Sequence, residues 1–212
     1  MQKQLISNRV EENEEKIRKA FSSCDDLKIR KLSLGENEKV KGFVCYIEVN
    51  AGNGLINVLG RMLAYLESLS EEEIAASIKG NAFALSDAET YVYMEDAIRG
   101  VLIGDAMLFV DGVAGALKMP DQGYPKMGIS PSEEEKVVRG SNESFTESEK
   151  ANTALIRKRI RSNRLKVKEI KVGLRSFTNV GIVYIEDLAE PQLVKEIEKR
   201  INEYEIDGIL DS

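Results

Sequence analysis

Apolar positions along the chain change repeatedly between helical and strand spacing. Apolar residues three or four positions apart predict helices at 10–21, at 55–66, in a short stretch after Ser70, at 94–103, from Glu147 to Ile160, and from Pro191 onwards. Runs rich in β-branched and aliphatic residues predict strands at 27–35, 42–48, 107–110, 113–119, 165–173 and 180–186. The Asp111-Gly112 pair is typical of a hairpin turn, because these residues accept the positive φ angles of such turns.

Part of this pattern is repeated. Leu27–Gly35 matches Leu165–Gly173, and Val44–Glu48 matches Ile182–Glu186, both at an offset of 138 residues (165 − 27 and 182 − 44) without a gap. The same offset relates the start of the helix at 55 to the final helix. Self-similarity at a fixed spacing marks duplicated structural units. The sequence therefore predicts an α/β protein of two related subdomains, each a small mixed sheet with flanking helices.

The chain length and the prolines locate the predicted boundaries. A chain of 212 residues accommodates two domains of roughly 100 residues. We predict a first subdomain at 1–120, a connector loop at 121–146 and a second subdomain at 147–212. Three of the four prolines lie in or next to the connector. The second subdomain has no counterpart of the 107–119 hairpin, so we expect it to be incomplete and the chain to be a fragment of a longer protein.

Composition argues against several classes of function. The net charge of −6 disfavours diffuse attraction to nucleic acid or anionic membranes. The absence of histidine removes the commonest general base and metal ligand, and Cys24 and Cys45 lack metal or redox spacing. No apolar run approaches a signal peptide or the ~20 residues that span a bilayer. We expect a soluble chain without catalytic activity, bound metal or cofactor.

A polar loop before the second subdomain offers one candidate site. Arg139 and the following glycine and serine have groups that bind anions, and Asn142, Glu143 and Phe145 complete the loop. The lysine and following serine or threonine of a phosphate-binding P-loop are missing. A structural connector has the same composition, and we favour that interpretation. The alternative is an anion or small ligand held near Arg139 in a cleft between the subdomains.

A basic run follows the connector. Its seven cations are Arg157, Lys158, Arg159, Arg161, Arg164, Lys166 and Lys168. They are able to bind phosphates, but the run contains no aromatic residue for stacking on single-stranded nucleic acid. A solvated helix face, or one facing an acidic neighbouring subunit, is the favoured interpretation. The acidic cluster Glu133–Glu135 is a candidate for catalytic carboxylates, but it is typical of a helix start. The sequence therefore contains no group of residues that indicates catalysis.

Several segments together resemble the A-subunit family of bacterial spore germinant receptors, which includes a stage V sporulation paralogue. They are Phe109–Gly112, Glu134–Ser141, Phe145–Glu147, Asn152–Ile160 and Val180–Ala189. The chain has Ser141–Phe145 where the family usually has Pro-Arg-Glu-Gly-Phe, and Ser130-Pro131 where Glu-Pro is common. The choice between receptor subunit and sporulation paralogue therefore stays open.

The resemblance implies a soluble, cytoplasm-facing N-terminal region of two α/β subdomains, which precedes transmembrane helices in the spore inner membrane. It implies B and C subunits and other A subunits as partners in nutrient-triggered germination. On this interpretation Arg139, Asn142, Glu143 and Phe145 shape the loop, and Asn152 is a further ligand-binding or interface residue. We further expect contacts to neighbouring subunits or lipid head groups from Arg157, Arg159 and Arg161.

Overall fold

The computed structural model describes residues 3–50, 53–80, 89–119 and 144–208. The chain divides into two compact units. Unit 1 comprises Met1–Ala20 and Leu27–Tyr124, and unit 2 comprises Phe21–Asp26 and Pro125–Ser212. The sequence did not indicate that Phe21–Asp26 is grouped with the second unit, because the contacts that place it there lie more than 130 residues away.

The described residues of unit 1 form a five-stranded antiparallel sheet with helices. Their elements are α1 (Val10–Ala20), β1 (Leu27–Leu34), β2 (Val40–Ile47), α2 (Asn53–Leu66), α3 (Glu71–Lys79), β3 (Thr90–Tyr91), α4 (Met94–Ile103), β4 (Ala106–Val110) and β5 (Ala116–Met119). The strands lie in the order β1-β2-β4-β5-β3 across the sheet. The helix predicted after Ser70 is α3, and Ser70 and Glu73 form a capping box at its start. The strand predicted at 113–119 begins only at Ala116, because a longer turn precedes it.

The core of unit 1 follows the alternation of side chains along the strands. Val44 of β2 belongs to a buried cluster with Leu55 of α2 and Leu108 of β4. Phe43, the neighbour of Val44, points to the other face of the sheet, where its ring stacks on Phe109 of β4 with ring centres 4.7 Å apart. Both faces of β2 are therefore buried, which explains the nearly continuous apolar run in its sequence.

Unit 2 contains α5 (Glu149–Arg159), β6 (Leu165–Val172), β7 (Thr178–Ile185) and α6 (Pro191–Asn202). The two strands pair antiparallel. The segment Phe21–Asp26 lies along β6, where Cys24 forms a parallel bridge with Val167 and the amide of Asp25 donates to the Val167 carbonyl at 2.8 Å. The α/β class is confirmed. The strand ladders of the described residues are antiparallel, and the isolated bridge of Cys24 to Val167 is parallel.

The structure extends the repeat seen in the sequence. The β1–β2 pairs run from Leu27↔Ile47 to Leu34↔Val40, and the β6–β7 pairs occupy the same eight positions at an offset of 138. Helices α2 and α6 begin at the same offset (191 − 53), whereas α1 and α5 are offset by 139 (149 − 10 and 159 − 20). The helix–strand–strand–helix order is therefore the same in both units, with one residue fewer between helix and strand in unit 2.

One glycine position requires the same backbone in both copies. Gly35 follows β1 with φ of 79°, and Gly173 follows β6 with φ of 90°. An L side chain is strained at such angles, so glycine is preferred. In both copies the next amide donates to the segment after the second helix, from Glu36 to the Leu69 carbonyl at 3.1 Å and from Leu174 to the Ile206 carbonyl at 2.9 Å.

Candidate functional site

Some of the predicted site residues fall within the described ranges, and these lie in α5 or next to it. Arg139, Asn142 and Glu143 lie outside the described residues, so the hypothesis of a ligand at that loop stays a prediction. Phe145 precedes α5 and is 65% exposed. Its exposed ring is available for contact with another molecule.

Asn152 fixes the beginning of α5. Its side-chain oxygen accepts a hydrogen bond from the amide of Thr146 at 2.7 Å, and its side-chain nitrogen donates to the Thr146 carbonyl at 2.7 Å. Ser148 caps the helix by accepting from the amide of Ala151 at 3.3 Å. In unit 1, Asn13 makes the same two bonds to Ser7, at 3.0 and 2.7 Å. Asn152 is thus a structural residue within its own chain.

Asn152→Ala is expected to lower the free energy of unfolding by about 1–2 kcal/mol, because the backbone amide and the backbone carbonyl of Thr146 both lose their hydrogen-bond partner. Urea denaturation measures the change. Asn202→Ala, at the exposed end of α6, is the control and is expected to change stability by less than about 0.5 kcal/mol. Equal effects of the two substitutions would contradict this role of Asn152.

The structure corrects the surface role predicted for Arg157. Its guanidinium is fully buried and donates to both carboxylate oxygens of Asp26, from Nε at 2.8 Å and from Nη2 at 2.9 Å. A third bond joins Nη1 to the Ser162 carbonyl at 3.2 Å. Burial lowers the pKa of Arg157, but the hydrogen bond and charge of Asp26 outweigh it, so the pKa is raised above its ordinary value. Arg157 therefore remains charged and cannot contact a neighbouring subunit.

Cys24 lies beside this ion pair. Its thiol is within 3.5 Å of the Leu165 carbonyl. Burial raises the pKa of the Cys24 thiol, although the charge of Arg157 opposes the shift. Burial also raises the pKa of Cys45 in β2. Both cysteines are protonated and buried at neutral pH, and such thiols are poor nucleophiles.

Three of the six remaining cations of the basic run are balanced by carboxylates of unit 2. Arg164 pairs with Asp187 at 2.9 Å, Lys166 with Glu186 at 3.4 Å, and Lys168 with Glu198 of α6. These pairs reduce the positive potential that a phosphate backbone would meet. The other cations of the run are exposed at the end of α5 and after it: Lys158, Arg159 and Arg161.

Among the described residues, more large apolar side chains are exposed in unit 2 than in unit 1. Large exposed apolar side chains in the described ranges of unit 1 are Leu5, Tyr65 and Val92. Those of unit 2 are Phe145, Ile160, Leu174, Phe177, Leu188, Leu193, Ile197 and Tyr204. Contiguous exposed apolar side chains mark surfaces that bind other polypeptides or membranes. We take these exposed side chains of unit 2, together with the cations at the end of α5, as the candidate interaction surface.

The described residues contain no group of histidine, cysteine, aspartate or glutamate side chains arranged to hold a metal ion. Among those residues, no helix is both long and apolar enough to cross a membrane.

Comparison with known proteins agrees with this architecture. The fold matches the crystal structure of the N-terminal domain of the A subunit of the Bacillus megaterium spore germinant receptor GerK3, with a TM-score of 0.72 and 24% identity. The match covers 98% of this chain and 76% of the other. The fold is thus that of a germinant-receptor N-terminal domain. Residues 15–212 match the model of the Bacillus/Clostridium GerA spore germination protein family, and the chain belongs to this family.

The relatives in this family are longer proteins. The chain is 31% identical over 210 residues to the uncharacterized membrane protein YfkQ, 33% over 205 residues to stage V sporulation protein AF, and 28% over 209 residues to spore germination protein KA, all of Bacillus subtilis (strain 168). These matches cover 98%, 93% and 98% of this chain, but only 40%, 40% and 38% of the relatives. The chain spans about two fifths of the length of these relatives.

Sequence reasoning missed two residues: Asp26, which holds Arg157 of α5, and Asn13, the counterpart of Asn152 in α1. Asp26, the partner of Arg157, lies 131 positions earlier and has no motif around it. Asn13 was detectable in principle, because Ser7 and Asn13 match Thr146 and Asn152 at an offset of 139. A search at the fixed offset of 138 does not align them.

Proposed function

We propose that this chain is a non-enzymatic signalling and assembly domain of a spore germination receptor A subunit. Two findings support the proposal: the family match over residues 15–212 and the fold match over 98% of the chain. The full protein is embedded in the spore inner membrane, and this domain faces the cytoplasm of the spore core. Its partners are the B and C subunits and other A subunits, and its task is to transmit nutrient binding to germination.

The interaction surface of unit 2 supports the assembly role. Phe145 is 65% exposed, and Arg159 and Arg161 are exposed at the other end of α5. Arginine and aromatic side chains contribute strongly to protein interfaces when a partner desolvates them. Arg159 and Arg161 contact acidic groups of a neighbouring subunit or lipid head groups. The buried Arg157 has no part in it.

Reversing the charge of both exposed arginines, Arg159→Glu with Arg161→Glu, is expected to reduce co-purification with the other receptor subunits and to slow nutrient-triggered germination. Spores lacking the gene are complemented with each variant. Lys195→Glu, which changes one exposed cation of α6, is expected to leave both readouts unchanged. Normal assembly and germination in the double variant would reject the interface role of these arginines.

Deletion of the gene distinguishes the receptor from the paralogue. Loss of the response to one nutrient, with a normal response to a nutrient-independent trigger, is expected for a receptor subunit. Intact nutrient responses would place the protein with the sporulation paralogue, represented here by the match to stage V sporulation protein AF.

A further inference from the structure

The turns that join the two strand pairs have the same length but a different chemical character. Five residues separate the strands in each unit, at 35–39 between β1 and β2 and at 173–177 between β6 and β7. The first turn reads Gly-Glu-Asn-Glu-Lys, and the second reads Gly-Leu-Arg-Ser-Phe at the same offset of 138. In unit 2, two large apolar side chains and a cation therefore stand where unit 1 has a polar turn with two acidic residues.

Both apolar side chains of the second turn are in contact with solvent. Leu174 is 69% exposed and Phe177 is 63% exposed. Their counterparts Glu36 and Lys39 are also exposed, although the described sheet of unit 1 has five strands and α3 follows α2 there. Unit 1 thus shows that neighbouring strands and helices leave a turn at this position uncovered. The partner of Leu174 and Phe177 is therefore to be sought outside the fold.

Hydrogen bonds fix the backbone of the second turn. The amide of Leu174 donates to the Ile206 carbonyl at 2.9 Å. The amide of Phe177 donates to the Gly173 carbonyl at 3.2 Å. The two amides between them donate to the Asp207 carbonyl at 2.9 and 3.2 Å. The turn therefore presents its two apolar side chains from a defined backbone, which lowers the entropy lost when they bind.

The choice of phenylalanine at 177 is costly for the fold. Each turn has one residue other than glycine in the left-handed region, Glu38 with φ of 55° and Phe177 with φ of 48°. Glycine, asparagine and aspartate adopt this region more readily than a bulky aromatic residue does. Since the ring of Phe177 is mostly exposed, packing within the chain offsets little of this strain. A contact outside the chain accounts for an aromatic residue at this position.

The charges beside the second turn are suited to an anionic surface. Lys171 at the end of β6 and Arg175 in the turn are both exposed, and the equivalent residues of unit 1 are the neutral Ser33 and Asn37. Arg175 pairs with Asp207 at 3.6 Å, but the two side chains are 82% and 72% exposed. Such an exposed pair is weak in water. Arg175 is therefore able to exchange this partner for a phosphate group.

We propose that the turn at 173–177 is a membrane-contact tip. Leu174 and Phe177 enter the boundary between head groups and acyl chains of an anionic bilayer, and Lys171 and Arg175 bind its phosphates. The inference rests on the proposed function, because the full protein is there embedded in a membrane and a lipid surface is always near. A protein partner would need a pocket shaped for the projecting ring, whereas a fluid bilayer accepts a convex tip without one.

A fluorescent reporter tests the contact. The chain contains no tryptophan, so Phe177→Trp introduces a single one at the tip. The whole chain is tethered by an N-terminal histidine tag and a flexible linker to phosphatidylglycerol vesicles that contain nickel-chelating lipid, because two apolar side chains alone bind membranes weakly. The emission is expected to move to shorter wavelength and to be quenched by lipids brominated on their acyl chains. Lys39→Trp, at the matched position of unit 1, is expected to show neither change.

Further changes in the Phe177→Trp chain separate the contributions to docking. Leu174→Ser is expected to remove most of the emission shift. Lys171→Gln is expected to lower the docking equilibrium constant about fivefold, the contribution of one cation near an anionic surface. Val92→Ser, at an exposed apolar residue of unit 1, is expected to change nothing. Equal emission shifts on neutral phosphatidylcholine vesicles would overturn the anionic surface as the occupant.

Phe177→Gly distinguishes loss of contact from loss of folding. Glycine relieves the left-handed strain, so this variant is expected to unfold at a urea concentration no lower than that of the unchanged chain. Added to a Leu174→Trp reporter, it is expected to abolish the emission shift on vesicles. No shift or quenching at 177, or equal changes at 177 and 39, would overturn the proposal. A shift without vesicles that grows with protein concentration would assign the tip to a second copy and overturn it too. These readouts involve no other subunit, so their failure leaves the assembly role to the test of Arg159 and Arg161.

Discussion

Replacing Arg157 with alanine is expected to lower the free energy of unfolding of unit 2 by about 3–5 kcal/mol. The substitution leaves the carboxylate of Asp26, which is 0% exposed, without the two hydrogen bonds that now compensate its burial. It also removes the bond to the Ser162 carbonyl. The cost comes mainly from the charge that remains buried, since a well-packed apolar pair of similar volume is often as stable as a buried ion pair.

A matched set of variants tests this expectation by urea denaturation and by hydrogen exchange in β6. Arg159→Ala, two residues along the same helix but exposed, is expected to change stability by less than about 0.5 kcal/mol. The double variant Asp26→Leu with Arg157→Met is expected to recover most of the loss, because neither charge is then buried alone. Equal stability of Arg157→Ala and Arg159→Ala would show that the ion pair does not hold α5 in place.

Leu55→Ala and Leu193→Ala are expected to lower the free energy of unfolding by very different amounts, although both replace a leucine at equivalent positions of the repeat. Leu55 is 3% exposed, and its truncation is expected to cost about 2–5 kcal/mol through lost burial and a residual cavity. Leu193 is 56% exposed, so its truncation is expected to cost less than about 0.5 kcal/mol. The difference measures how much the burial of Leu55 contributes to the stability of unit 1.

Thermal and urea denaturation of the two variants, each compared with the unchanged chain, measure the contrast. A large cost at Leu193 would mean that the residue is covered in solution, either by a second copy or by another part of the polypeptide. Repeating the Leu193→Ala measurement over a range of protein concentrations separates these cases, because only cover by a second copy depends on concentration.

The strand pairs could be predicted because the information for them is local. Leu27–Leu34 and Val40–Ile47 are rich in apolar residues, and the repeat copies them at a fixed offset, so both ladders were expected where they occur. The site was less predictable. Asn152 was selected from a family resemblance as a ligand-binding or interface residue, whereas the structure shows that its side chain makes the hydrogen bonds that fix the start of α5.

By itself, the sequence determined the α/β class, the duplicated strand pair and the family, because periodicity and motifs are properties of neighbouring residues. Only the tertiary structure decided which cation of the basic run is buried: Arg157 is charged like Arg159, but Asp26, 131 residues away, removes it from the surface. Tertiary structure also decided that Leu55 is covered and Leu193 is not. Burial depends on which distant elements pack over a residue, and the residue's own sequence pattern does not contain that information.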